Sequence, residues 1–127
     1  MQYGSVGALG SQITIPAEWV PVIAKAREFS LTGKIAFLRV VSAFNHSMAQ
    51  HAAGALGPDI ATPLVPTNSA EARLALIVNW LASPEVSPEE KEGMIAAWRL
   101  LDRTTVSEAE SNPNVPAGVR LLLRAGR

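Results

Sequence analysis

The chain has 127 residues, enough for one domain with a sizeable core, and its 11 basic and 11 acidic residues cancel, so no net field favours nucleic acid or an anionic membrane. Only 17% of residues are charged against 48% apolar, whereas soluble domains carry about 25% charged; with no net charge to keep copies apart, self-association is the first expectation. Cysteine is absent, which excludes disulfides, thiol catalysis, iron–sulfur clusters and the common structural zinc sites.

Residues 1–12, MQYGSVGALGSQ, are rich in Gly and Ser and show no period, and they are read as a flexible lead-in to a single helical domain over residues 13–127. They carry no basic cluster and no long apolar run, so neither a secretory signal nor an anchor is expected, and the expected location is cytoplasmic. Residues 16–29 have helical spacing at Trp19, Ile23 and Ala26. Pro21 would clash inside a helix, so one turn is expected over residues 16–20, with the helix proper starting at Pro21 in its first turn.

Residues 33–55 read as one long amphipathic helix, with Phe37, Val41, Phe44, Met48, Ala52 and Ala55 in a narrow arc. Its last turns are nearly all small residues, which would let a second backbone approach closely. Gly54 and Gly57 offer stopping points, and Pro58 forbids continuation. Residues 57–68, GPDIATPLVPTN, combine three prolines with Ile60, Leu64 and Val65; this length calls for packing of its own, and a Pro-rich strap across the bundle is expected.

The segment Ala70 to Ala82, AEARLALIVNWLA, is apolar on every side of a helical wheel and too short for a bilayer, which needs about 20 residues. It is read as the buried central helix of a soluble bundle, capped by Asn68 or Ser69 and stopped by Ser83-Pro84. Trp80 is then interior, and Asn79 beside it needs partners for its amide. Ser87-Pro88-Glu89-Glu90 places a cap, a first-turn proline and a capping-box glutamate, so a helix starts there with Met94, Ala97, Trp98 and Leu101 inward. Both glutamates are expected to be solvated. A short helix follows from Thr105 or Ser107, and a last one opens near Pro116 with Val119, Leu122 and Leu123 on one side.

Chemistry is sparse. His46 and His51, the only histidines, stand about 140° apart on a helix and cannot chelate one metal together. There is no nucleophile elbow, no phosphate loop and no dinucleotide fingerprint. No enzyme activity, metal or cofactor is expected; catalysis would need His51 and Asn79 to meet in a pocket with a carboxylate such as Asp59. Charge is uneven along the chain, with seven acids and three bases in residues 85–110, and Arg120, Arg124 and Arg127 without an acid in residues 111–127. Two tryptophan segments, IVNWLAS and IAAWRLL, share a loose pattern, but no repeat of solenoid length appears.

The expected fold is all-α, four to five helices packed around the Ala70–Ala82 helix, with the Pro-rich strap and no substantial sheet. The expected function is a non-catalytic protein–protein interaction module that forms a homodimer, with another protein as a second partner class and neither nucleic acid nor membrane bound. Its interface is assigned to Ala52, Ala55, Arg120, Arg124 and Arg127. The alternative is a binding protein for an apolar small molecule or pigment held between helices, lined by Phe44, Met48, His51, Asn79, Trp80 and Trp98.

Overall fold

The computed structural model describes residues 15–57 and 69–125, and the lead-in, nearly all of the Pro-rich segment (58–68) with Asp59, and Arg127 lie outside them. Among the described residues the chain is all-helical, with no strand. A 3-10 turn, Ala17–Trp19, leads into α1 (Val20–Ala26), followed by α2 (Leu31–Phe44), α3 (His46–Leu56), α4 (Ala70–Ala82), α5 (Pro88–Leu101), α6 (Arg103–Glu110) and α7 (Ala117–Ala125). Seven helices thus replace the expected four to five. Pro21 sits in the first turn of α1, where its missing N–H costs nothing.

The long helix expected over residues 33–55 is two helices. Asn45 leaves the helical region at φ −149°, and its side chain accepts a 3.0 Å bond from the Met48 N–H, capping α3 while the backbone turns. An Asn side chain competes with the helical ladder for local N–H groups, and here it wins. α3 then folds back along α2 until its end meets the end of α1, where Arg27 Nε donates to the Ala55 carbonyl at 3.0 Å. Asp102 makes the same kind of break between α5 and α6, accepting from the Thr105 N–H at 3.3 Å.

These two breaks belong to a larger correspondence. Ser30 and Ser87 each cap a 14-residue helix, which ends at Asn45 in the first half and Asp102 in the second, a separation of 57 residues throughout. At that separation the buried positions coincide: Phe29 with Val86, Ala36 with Gly93, Phe37 with Met94, Leu38 with Ile95, Val41 with Trp98, Ala49 with Val106. α2 and α5 pack on each other, α1 packs on α5, and α4 packs on α2. The halves are related as a pseudo-twofold would relate them, although few side chains are identical. They diverge further out, where α3 lies on α1 and α2 whereas α6 lies on α5 and α7.

The centre of the core is therefore the α2–α5 pair. α2 buries Ala36, Phe37, Leu38, Val40 and Val41 completely, and Phe29 meets Phe37 edge-on with ring centroids 6.3 Å apart. α4, expected to be central, buries only Ile77 and Leu81. It leans on α2, α5 and α7 along one side, so an apolar wheel did not mean a surrounded helix.

Glu90 ties the two halves together. As α5's third residue it completes a capping box, with Oε1 accepting the Ser87 N–H at 2.9 Å. Its Oε2 accepts both the backbone N–H (2.8 Å) and the hydroxyl (2.9 Å) of Ser30, the cap of α2. Glu90 is only 6% exposed, so the expectation of a solvated carboxylate is corrected: it is the shared cap of two helices. Gly33 makes room, since a Cβ there would run into the Glu90 carboxylate.

α3 ends at Gly57, where φ is 138°, a conformation that a side chain strains against. Gly57→Ala should lower stability by about 1–2 kcal/mol, read as a shift in the urea midpoint with unchanged slope. No loss would mean that the chain leaves α3 by another path.

Candidate functional site

The residues expected to line one ligand site are dispersed. Met48 is buried in the chain's own core, and His51 is half-buried on α3, where burial lowers its pKa below the ordinary value. His46 Nδ1 lies 3.2 Å from the Ser42 hydroxyl within the first half. Asn79 is exposed rather than interior, and Trp80 is half-buried, both on the outer side of α4. Phe44 and Trp98 meet at one cavity and Asn79 and Trp80 at another, so the six do not share a site. Among the described residues no three His, Asp or Glu side chains cluster as metal ligands, and no helix is long and apolar enough to cross a membrane.

The residues assigned to an interface fare unevenly. Ala52 is fully buried inside the monomer, and Ala55 is half-buried with its carbonyl occupied by Arg27. The small residues of α3 thus allow close approach within this chain, to α2. Arg124 is exposed and donates to the Glu110 carbonyl at 2.8 Å, so it turns toward the acidic segment of its own chain. Arg120 is half-buried on the same helix, and its Nε has no hydrogen-bond partner among the described residues.

Two surface features remain. The first is an open shelf of about 550 Å³ on the outer side of α4, lined by Ala72, Ala75, Leu76, Asn79, Trp80 and Ser83. Their spacing of three and four puts them on one helical face. No charged side chain lines it. The outward residues of α1, by contrast, include Glu18 in the turn before it and Lys25 near its end, both exposed. Charge on an outward helix face is the ordinary arrangement, and on α4 it is confined to the first turns, where Glu71 is exposed ahead of the shelf.

The second feature is a cleft of about 120 Å³ where the C-terminal end of α2 meets α4, α5 and α6. Buried Trp98 and Ala109 and half-buried Leu74 and Phe44 form its apolar part, while half-buried Arg73 and Asn112 and exposed Glu108 supply its polar part. The Arg73 guanidinium sits 5.5 Å from the centre of the Phe44 ring, within cation–π range. Trp98 Nε1 donates to Thr105 Oγ1 at 2.9 Å, and that hydroxyl donates to the Asp102 carbonyl at 3.0 Å, so the polar atoms at its base are satisfied.

Comparison with known proteins returned no match to any family model, curated protein or solved structure. What this chain does has to be argued from its own surface. The α4 shelf had a signal in the sequence, an apolar wheel interrupted by Asn79 beside Trp80, whose amide is better placed at a surface than in a core.

Proposed function

We propose that the protein is a non-catalytic interaction module that pairs with a second copy of itself through the outer face of α4. The observation that carries this is the uncharged shelf of Leu76 and Trp80 set among Ala72, Ala75 and Asn79. A stripe without charge is compatible with its own copy across a twofold, where a charged stripe would meet like charges. Asn79 suits such an axis because one side-chain amide both donates and accepts, and two copies can satisfy each other. Small residues at positions 72 and 75 allow two helices to come close, and a half-buried tryptophan is the kind of side chain that supplies most of an interface's energy.

The low charge fraction and zero net charge of the whole chain act in the same direction, since little repulsion opposes pairing. The arginine stripe of α7 is left a smaller role. Exposed ion pairs contribute only about 0–1 kcal/mol each, so apolar burial has to hold the pair.

Light scattering at micromolar concentration should give twice the chain mass, little altered by half-molar salt. Ala75→Glu places a charge on the shelf at an exposed position, where surface substitutions change folding stability by only about 0.5 kcal/mol. The variant should keep its helical circular dichroism and scatter as a monomer. A wild-type monomer at high concentration in low salt, or an Ala75→Glu variant that still pairs, would refute this interface.

A further inference from the structure

The cleft between α4, α5 and α6 lies where the two halves of the fold stop matching. At the 57-residue separation Thr105 corresponds to Met48, which the first half buries to 8% exposure beside a fully buried Val41. Trp98 corresponds to Val41, and Ala109 to Ala52. In the first half a long, flexible methionine fills this position; in the second a short threonine stands there with its hydroxyl engaged by the Trp98 indole. The cleft over this buried tryptophan has a volume of about 120 Å³ and is partly open to solvent.

We propose that this cleft binds a small, uncharged apolar ring compound. Its volume is of the same order as the roughly 150 Å³ apolar cavity known to accept benzene. Phe44, Leu74, Trp98 and Ala109 provide the apolar lining, and the Trp98 N–H and the Thr105 hydroxyl at its base are already paired, so a ring bound over them strands neither. Arg73 and Glu108 place opposite charges among the lining, which favours a neutral guest over an anion or a cation. The site is separate from the outer face of α4, because the shelf and the cleft share no lining residue.

Fluorobenzene is the probe, followed by its ¹⁹F resonance as protein is added to the full-length chain. The wild type should broaden and shift the signal saturably with a Kd of about 1 mM or tighter. Thr105→Met, which installs the residue that the other half uses, should weaken binding at least about tenfold, a loss of 1.4 kcal/mol on the standard scale. Ala70→Leu, at the exposed first residue of α4 beside the cleft, should weaken it as well, and it keeps the test open where loss of the Trp98–Thr105 bond unfolds the first variant. Absence of saturation up to the solubility of the probe overturns the proposal. Equal binding by the wild type and a folded blocking variant overturns it too, because the probe would then sit elsewhere.

Discussion

Replacing Trp98 by alanine is expected to remove about 3–5 kcal/mol of folding stability, whereas Trp80→Ala should cost about 1–2 kcal/mol. Trp98 is 1% exposed, lies on the face of α5 turned into the core, and anchors Thr105 through its indole N–H. Its removal empties a large volume and leaves the Thr105 hydroxyl without its donor. Trp80 is half-buried on the α4 shelf and packs against the core from its edge, so less is lost with it. Urea unfolding at a concentration low enough to keep the chain monomeric would measure both. A Trp80 loss as large as that of Trp98 would mean that α4 is enclosed after all, while a Trp98 loss below about 1 kcal/mol would remove α5 from the centre.

The contrast between these two tryptophans shows what was legible. Their local surroundings in the sequence are alike, each being a Trp in an apolar helical segment, and helical period placed both on helices correctly. Which is enclosed depends on the packing of α2 against α5, a partnership between segments some sixty residues apart that no local pattern records. The helix starts were legible because their causes are local. Ser87, Pro88 and Glu90 supply cap, first-turn φ and reciprocal hydrogen bond within four residues, and all three act as expected. The break at Asn45 is also local, since an Asn between Phe44 and His46 can cap the next helix with its own side chain, yet the apolar stripe runs on across it and masks it.

The small residues from Ala49 to Ala55 pose a different problem. Their chemistry permits close helix contact, and close contact does occur, but with α2 of the same chain once the backbone turns at Asn45. A pattern that specifies how near a neighbour comes does not specify whose neighbour it is. The correspondence of the two halves is hidden in the sequence because its signature is burial rather than identity: Phe37 and Met94, or Val41 and Trp98, share an environment without sharing a shape. The α4 shelf could be suspected from Asn79 alone, because an amide on an otherwise apolar helix is cheaper at a surface.

Glu90 carries the second large effect, because one carboxylate serves two helix starts. Glu90→Ala should cost about 2–3 kcal/mol, since it removes the acceptor shared by the Ser30 and Ser87 N–H groups and the Ser30 hydroxyl at a part-buried place and empties the buried Glu90 position. Glu90→Gln keeps the shape but turns an amide NH2 toward one set of donors, for an expected loss of about 1–2 kcal/mol. The ionised form matters. Burial opposes the charge, but the backbone N–H groups of Ser87 and Ser30 and their hydroxyls outweigh it, and the carboxyl is held below its ordinary value of 4.5. A carboxyl depressed in the native state contributes stability that is fully present above the unfolded value and is lost as the pH falls through the lower native one. The gap between wild type and Glu90→Gln should therefore be constant from neutral pH down to about 5 and close below 4.5. Denaturant titrations across that range would read it, and a gap that stays constant into acid would show that the Glu90 charge does not bind the two caps.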